Sequence, residues 1–187
     1  MSRPLALLAF LAASAPFIAA AGELQVDAGL AVRKSTWAGD VAAGGQLGAG
    51  YRFAHVFAID TVVWEETASV DSRLNTGLTL GITGTLPLRT IRPSLRVYAI
   101  HQHEEGLVSV AEHPFGTVFG IGAGIRHRAG AGARLGVEIP FSASKRVEWV
   151  ALGGLEGTWL SEKILGPAAY YGVMGGIGIN YRLEELP

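Results

Sequence analysis

The feature that most limits what this chain can fold into is an alternation of period two, running from about residue 24 to residue 183. Leu24, Val26, Ala28, Leu30 and Val32 share one face of an extended segment, and Gln25, Asp27, Gly29, Ala31 and Arg33 share the other. The pattern recurs over 41–52, where Gln46 and Arg52 face away from Leu47 and Tyr51. Over 55–66, Phe57, Ile59, Thr61 and Val63 oppose Asp60, Trp64 and Glu66. Further candidate strands cover 73–86, 94–103, 115–127, 134–141, 147–158 and 171–183. Between them lie polar or proline-bearing breaks: 34–40, the tight Phe53-Ala54 step, 87–93, 104–114 and 161–167. The Gly/Ala stretch 129–133 reads as a turn, and 142–146 as another. Short strands at turn-separated spacing make an all-β sandwich or barrel, and no helical period competes.

Alternation alone does not say which face points inward. The composition of the less apolar face does. It is dominated by glycine, with a charge every few residues, and the chain holds 26 glycines, all beyond residue 21. Glycine brings no solubility and costs backbone entropy, so a solvent face has little reason to select it. A small barrel interior does, because small residues must alternate with large ones to fill it. The charges on that face are Asp27, Asp60, Glu66, Glu138, Glu148 and Glu156 against Arg33, Arg52, Arg73, Arg96, Arg126, Arg134 and Arg182. Every base is arginine, whose planar fork suits bidentate carboxylate pairing in a confined space. The pattern therefore predicts an antiparallel transmembrane β-barrel, apolar outside and charged within. The alternative is a soluble periplasmic or secreted ligand-binding barrel that buries its apolar face.

Single-chain membrane barrels use even strand numbers. Nine candidates are present, so eight strands are expected, with ten as the alternative. The suspect pair is 134–141 and 147–158, because Pro140 sits inside the first.

Residues 1–21 read as a cleavable secretory signal peptide: Arg3, an apolar run Leu5–Ala13, and small residues Ala19–Ala21. The barrel domain is then 22–187. A net charge of −1 gives no electrostatic case for nucleic acid. Without cysteine, the chain has no disulfide framework, thiolate metal site or thiol nucleophile.

The last strand carries a more specific signal. Gly176-Ile-Gly-Ile-Asn-Tyr-Arg-Leu183, Gly50-Tyr-Arg-Phe53 and Gly120-Ile-Gly-Ala-Gly-Ile-Arg126 resemble segments of the small outer-membrane β-barrel proteins of the OmpA/OmpX-like group. The resemblance spans 22–187 as a pattern of loose motifs. It implies residence in the outer membrane of a Gram-negative bacterium, contact with outer-membrane lipid, and an assembly machinery that reads the C-terminal strand. That group usually ends on an aromatic residue, where this sequence reads Leu183-Glu-Glu-Leu-Pro187.

Tyr51, Trp64, Trp149, Tyr171 and Tyr181, together with Trp37, Trp159 and Tyr170, fall mostly near strand ends and are expected in interfacial girdles. His101, His103 and His113 with Glu104, Glu105 and Glu112 form the one ligand-rich cluster, read plainly as a hydrated loop. Ser109, Glu112 and His113, or Ser142 and Ser144, offer the parts of a nucleophile–base pair without a recognisable motif. A lipid-modifying enzyme is thus a second alternative. The expectation is no enzyme, no metal and no cofactor, with function in the outer loops and 104–114 foremost.

Overall fold

The computed structural model describes residues 22–112, 121, 125–161 and 166–183. Eight strands close into one antiparallel barrel in sequence order: β1 (Glu23–Ser35), β2 (Val41–Phe53), β3 (Phe57–Ala68), β4 (Arg73–Thr85), β5 (Arg92–Gly106), β6 (Arg126–Ala143), β7 (Val147–Leu160) and β8 (Ala169–Arg182). One short helix, Leu107–Glu112, follows β5. β8 pairs with β1 from Glu23↔Arg182 to Ser35↔Tyr170, so the wall has no edge. The strands are 12 to 18 residues long, more than the ~9–11 that cross a bilayer.

The parity read from the sequence is the parity of the wall. Leu30, Leu47, Leu80 and Leu135 point outward and are 62–72% exposed, while Arg33, Glu66, Gln46 and Asn180 point inward and are at most 3% exposed.

The two ends differ. One end carries the hairpins 54–56, 86–91 and 144–146 and both ends of the wall-forming chain; the other carries the connections 36–40, 69–72, 107–125 and 161–168. At the first end, Ala54 and His55 are the two central residues of a β-turn within the three-residue connection 54–56, with φ of 51° and 56°, and the Val56 N–H donates to the Phe53 carbonyl at 3.3 Å. Positive φ at both positions is the geometry that matches strand twist, here without the usual Asn-Gly.

β6 corrects the strand reading. The stretch 129–133 is not a turn; it lies inside one 18-residue strand with 134–141. Alanine and glycine have weak strand propensity, so the sequence looked like a break. The backbone ladder decides otherwise: Ala131 faces Ala99 of β5 and Trp159 of β7. Pro140 is accommodated at a register shift between Pro140 and Ser142. Of the expected strand 115–127, only Arg126 and His127 belong to β6, and Ile121 and Ile125 have no regular structure. Residues 113–120 and 122–124 lie outside the described residues, as do 1–21 and 184–187. Glu104 to Gly106, read as loop, complete β5.

Ala131→Pro is expected to abolish the folded form, because the residue is flanked by paired strands on both sides. Electrophoresis of the refolded variant with and without boiling checks this; a folded band equal to that of the parent would restore the turn reading.

Candidate functional site

The interior is a stack of ion pairs and large side chains laid on glycine. Cross-strand register explains the glycines. Gly77 faces Trp64, and Gly132 faces Tyr98. A Cβ at either glycine would overlap the opposed ring. Each aromatic thus lies flat across a neighbour that has no side chain, which is how two bulky rings fit inside an eight-stranded wall.

At the short-turn end, Arg52 pairs with Glu138 and lies 3.5 Å from Glu23. Arg92 grips Glu148 with two nitrogens at 2.5 and 2.9 Å, and Asn180 adds a bond to the same carboxylate at 3.2 Å. Arg182, partly exposed at the rim, is 3.6 Å from Glu23 and 3.7 Å from Glu148.

One layer further in, Arg96 Nε donates to Asp60 at 2.5 Å, its guanidinium lies 4.6 Å from the Tyr98 ring centre, and Thr83 also donates to Asp60 at 2.5 Å. Asp27 faces this layer across a cavity of about 90 Å³ bordered by Asp60, Arg96, Arg134 and Glu138. That volume is far below the roughly 300–1,000 Å³ of small-molecule sites.

The middle layer centres on Arg33, with Nε 2.9 Å from Glu66 and 2.8 Å from Glu156. Arg134 reaches Glu156 at 2.7 Å and Gln46 at 3.1 Å. Trp64 stacks beneath the Arg33 guanidinium at 4.1 Å. Above it, Arg128 pairs with Glu104 at 2.7 Å, and Gln102 donates to the same carboxylate. At the long-loop end, fully buried Asp40 accepts from Arg73 at 2.5 Å and from Ser35 at 2.6 Å. Its other oxygen accepts from the Val70 N–H, which ties the 36–40 loop to the 69–72 turn. Arg73 also bonds Asp71 and lies 4.9 Å from the Trp37 ring centre.

The expected interior charges therefore fall into separate layers along one axis. Arg126 is half-buried at the first residue of β6, opposite Glu104 in register; the partner of Glu104 is Arg128. Glu23, Asp40, Arg92, Glu104 and Arg128 join the interior pairs beyond the set of interior charges expected from the sequence. Glu23, Arg92, Glu104 and Arg128 carry the inward parity of their strands, while Asp40 comes from a loop that folds over the lumen.

Trp64 is a correction. It belongs to the lumen and not to an interfacial girdle, since it shares the parity of Asp60 and Glu66 and is 3% exposed. Tyr170 is likewise buried. Trp149 and Tyr181 project outward at the short-turn end; Tyr51, of the same outward parity, is only half exposed. Tyr171 and Trp159 do so at the other end, where Trp159 Nε1 donates to the Tyr171 hydroxyl at 3.1 Å. Ser109 and Glu112 lie on the short helix at the long-loop end, whereas Ser142 and Ser144 lie at the opposite end. His113 falls outside the described residues. Among the described residues, no hydrogen bond joins a serine hydroxyl to a histidine ring.

The sequence matches no family model and no curated protein sequence. The backbone is similar to solved structures of small barrels. Neisserial surface protein A superposes with a TM-score of 0.57 at 16% identity, over 87% of this chain and 99% of that one. The attachment invasion locus protein Ail of Yersinia pestis gives 0.49 at 11%, over 88% and 99%. The outer membrane protein OprG of Pseudomonas aeruginosa gives 0.47 at 12%, over 87% and 96%. The fold is that of the small eight-stranded outer-membrane barrels.

Three substitutions test the packing. Arg33→Met leaves Glu66 without its ion-pair partner in the interior, beside a Glu156 that keeps Arg134, and is expected to destabilise the barrel by about 3–5 kcal/mol. Adding Glu66→Gln should restore part of that loss, read as the urea midpoint in detergent micelles. Gly77→Val is expected to cost about 1–3 kcal/mol through overlap with Trp64. An unchanged midpoint would mean that Trp64 does not lie across Gly77.

Proposed function

We propose that this chain is a small integral outer-membrane protein of a Gram-negative cell envelope, non-catalytic, with a closed lumen and a surface-interaction role at its long-loop end. The observation that carries this reading is the polarity of the wall. Exposed Leu, Val and Ile side chains surround the barrel on all eight strands, while charged and amide side chains fill its centre. Soluble monomers rarely expose contiguous apolar patches beyond a few hundred Å². In lipid the same surface is the favourable one, because closure satisfies the backbone hydrogen bonds that a bilayer cannot. A soluble ligand-binding barrel would need the opposite polarity and a larger cavity.

The layered Arg–carboxylate pairs support a blocked lumen, since an ion would have to pass the Arg33, Arg96 and Arg128 layers in turn. Membrane barrels carry short periplasmic turns and longer outer loops, which supports an orientation with the 107–125 and 161–168 connections outside the cell. β8 is an amphipathic strand that closes the wall against β1, which supports its role as the segment the assembly machinery reads.

Fractionation tests the reading. The expected result is a detergent-dependent outer-membrane protein whose folded band shifts on boiling. Recovery in the buffer-soluble fraction, with no shift, would overturn it. Planar-bilayer recordings of the purified barrel should show no steady channel steps, and stable conductance would refute the blocked lumen.

A further inference from the structure

The outward face of β5 and β6 departs from the apolar pattern in one place. Along β5 the outward residues run Leu95, Val97 and Ala99, then His101 and His103; on β6 they end at His127. His103 and His127 are direct cross-strand partners, and His101 faces Ala129, a side chain too short to crowd the rings. The three imidazoles converge. Ring centres are 4.6 to 5.4 Å apart, and the potential donor nitrogens all lie within 4.8 Å of one another.

We propose that His101, His103 and His127 form a binding site for a divalent transition-metal ion of the zinc class, on the outer surface of the wall toward its long-loop end. Zinc takes imidazole nitrogens at about 2.0–2.1 Å, so ligands of a tetrahedral site stand roughly 3.3 Å apart. His127 Nδ1 and His101 Nε2 already stand 3.3 Å apart. The widest separation must close by about 1.5 Å to meet that geometry, which ring rotation supplies for side chains with at most partial burial.

A hydrogen bond between two neutral imidazoles accounts for the 3.3 Å contact but not for the third ring. His103 Nδ1 is buried and accepts or donates no hydrogen bond. An unmade bond at a buried nitrogen is costly, and a metal ion is one partner that satisfies it. Two neighbouring groups share the condition. Thr76, the β4 partner of His103, has a buried hydroxyl with no hydrogen bond, and neither oxygen of buried Glu105 is bonded. Glu105 also sets a carboxylate on the same strand as two of the ligands, which favours a cation there.

Imidazole donors select zinc, copper and nickel over magnesium and calcium, which prefer oxygen. Three imidazoles leave a fourth position for water or an anion, the arrangement of open zinc sites. The bound ion would clamp β5 to β6 at the base of the 107–125 connection. The inference stands on the geometry of the wall and holds for any folded form of the barrel, in membrane or out of it.

The test uses the full-length barrel domain without an affinity tag, refolded in detergent and stripped with chelator. Zinc is titrated against a chromophoric competitor. The expected result is one zinc per chain, unaffected by millimolar magnesium, with at least tenfold weaker binding in His103→Gln and in His127→Gln. Both variants should keep the heat-modifiable folded band, since the rings lie outside the packed lumen. Cobalt(II) should give the intense visible bands of a four-coordinate site, lost in the same variants. Zinc should also raise the urea midpoint of the parent and leave that of His103→Gln unchanged. No stoichiometric binding, or binding that survives both substitutions and falls with His55→Gln instead, would overturn the assignment.

Discussion

The pairing of β8 with β1 is the constraint on which everything else rests. Once that seam forms, every strand has a neighbour on both sides and the wall presents two surfaces only, one facing in and one facing out. The alternation of side chains then commits each residue to one of them. A slip of a single residue would send Arg33 and Arg96 to the outer surface and bring Leu30 and Val97 inward. Register is therefore specified by the cost of charge in an apolar medium at least as strongly as by any favourable contact.

The lumen is organised to keep that commitment tolerable. Buried ion pairs add little net stability, because desolvation cancels much of the Coulomb attraction. Their value here is selectivity. Glu156 is shared by Arg33 and Arg134, Glu148 by Arg92 and Arg182, and Asp40 joins two loops through the Val70 N–H while pairing with Arg73. Arg33–Glu66, Arg33–Glu156, Arg52–Glu138 and Arg92–Glu148 link strands that are not neighbours in the wall, so these pairs form only when the barrel is closed in the correct order. Glycines opposite Trp64 and Tyr98 give the large side chains their room.

Much of this was legible in the residues. The outward set Leu24 to Val32 and the inward set Gln25 to Arg33 follow from parity on β1, and the arginine-only base list pointed to a confined interior. Two things were not legible, and a third, Trp64, was legible but misassigned. Residues 129–133 carry no strand-forming side chains, so their strand is imposed by the ladders on either side. Trp64 was drawn to the girdle by its residue type, although its own parity with Glu66 placed it inside. The histidine cluster paired His101 and His103 with His113 by proximity in sequence, whereas His127 reaches them through the β5–β6 register, which periodicity does not reveal.

The central claim is that the outward face meets hydrocarbon and the inward face does not. The most direct test is fluorescence quenching by bromine-labelled acyl chains in reconstituted vesicles. One variant keeps only Trp64, with Trp37, Trp149 and Trp159 replaced by Phe; a second replaces all four and adds Leu80→Trp. Strong quenching at position 80 with little at position 64 is the predicted result. Equal quenching at both, or stronger quenching of Trp64, would contradict the account.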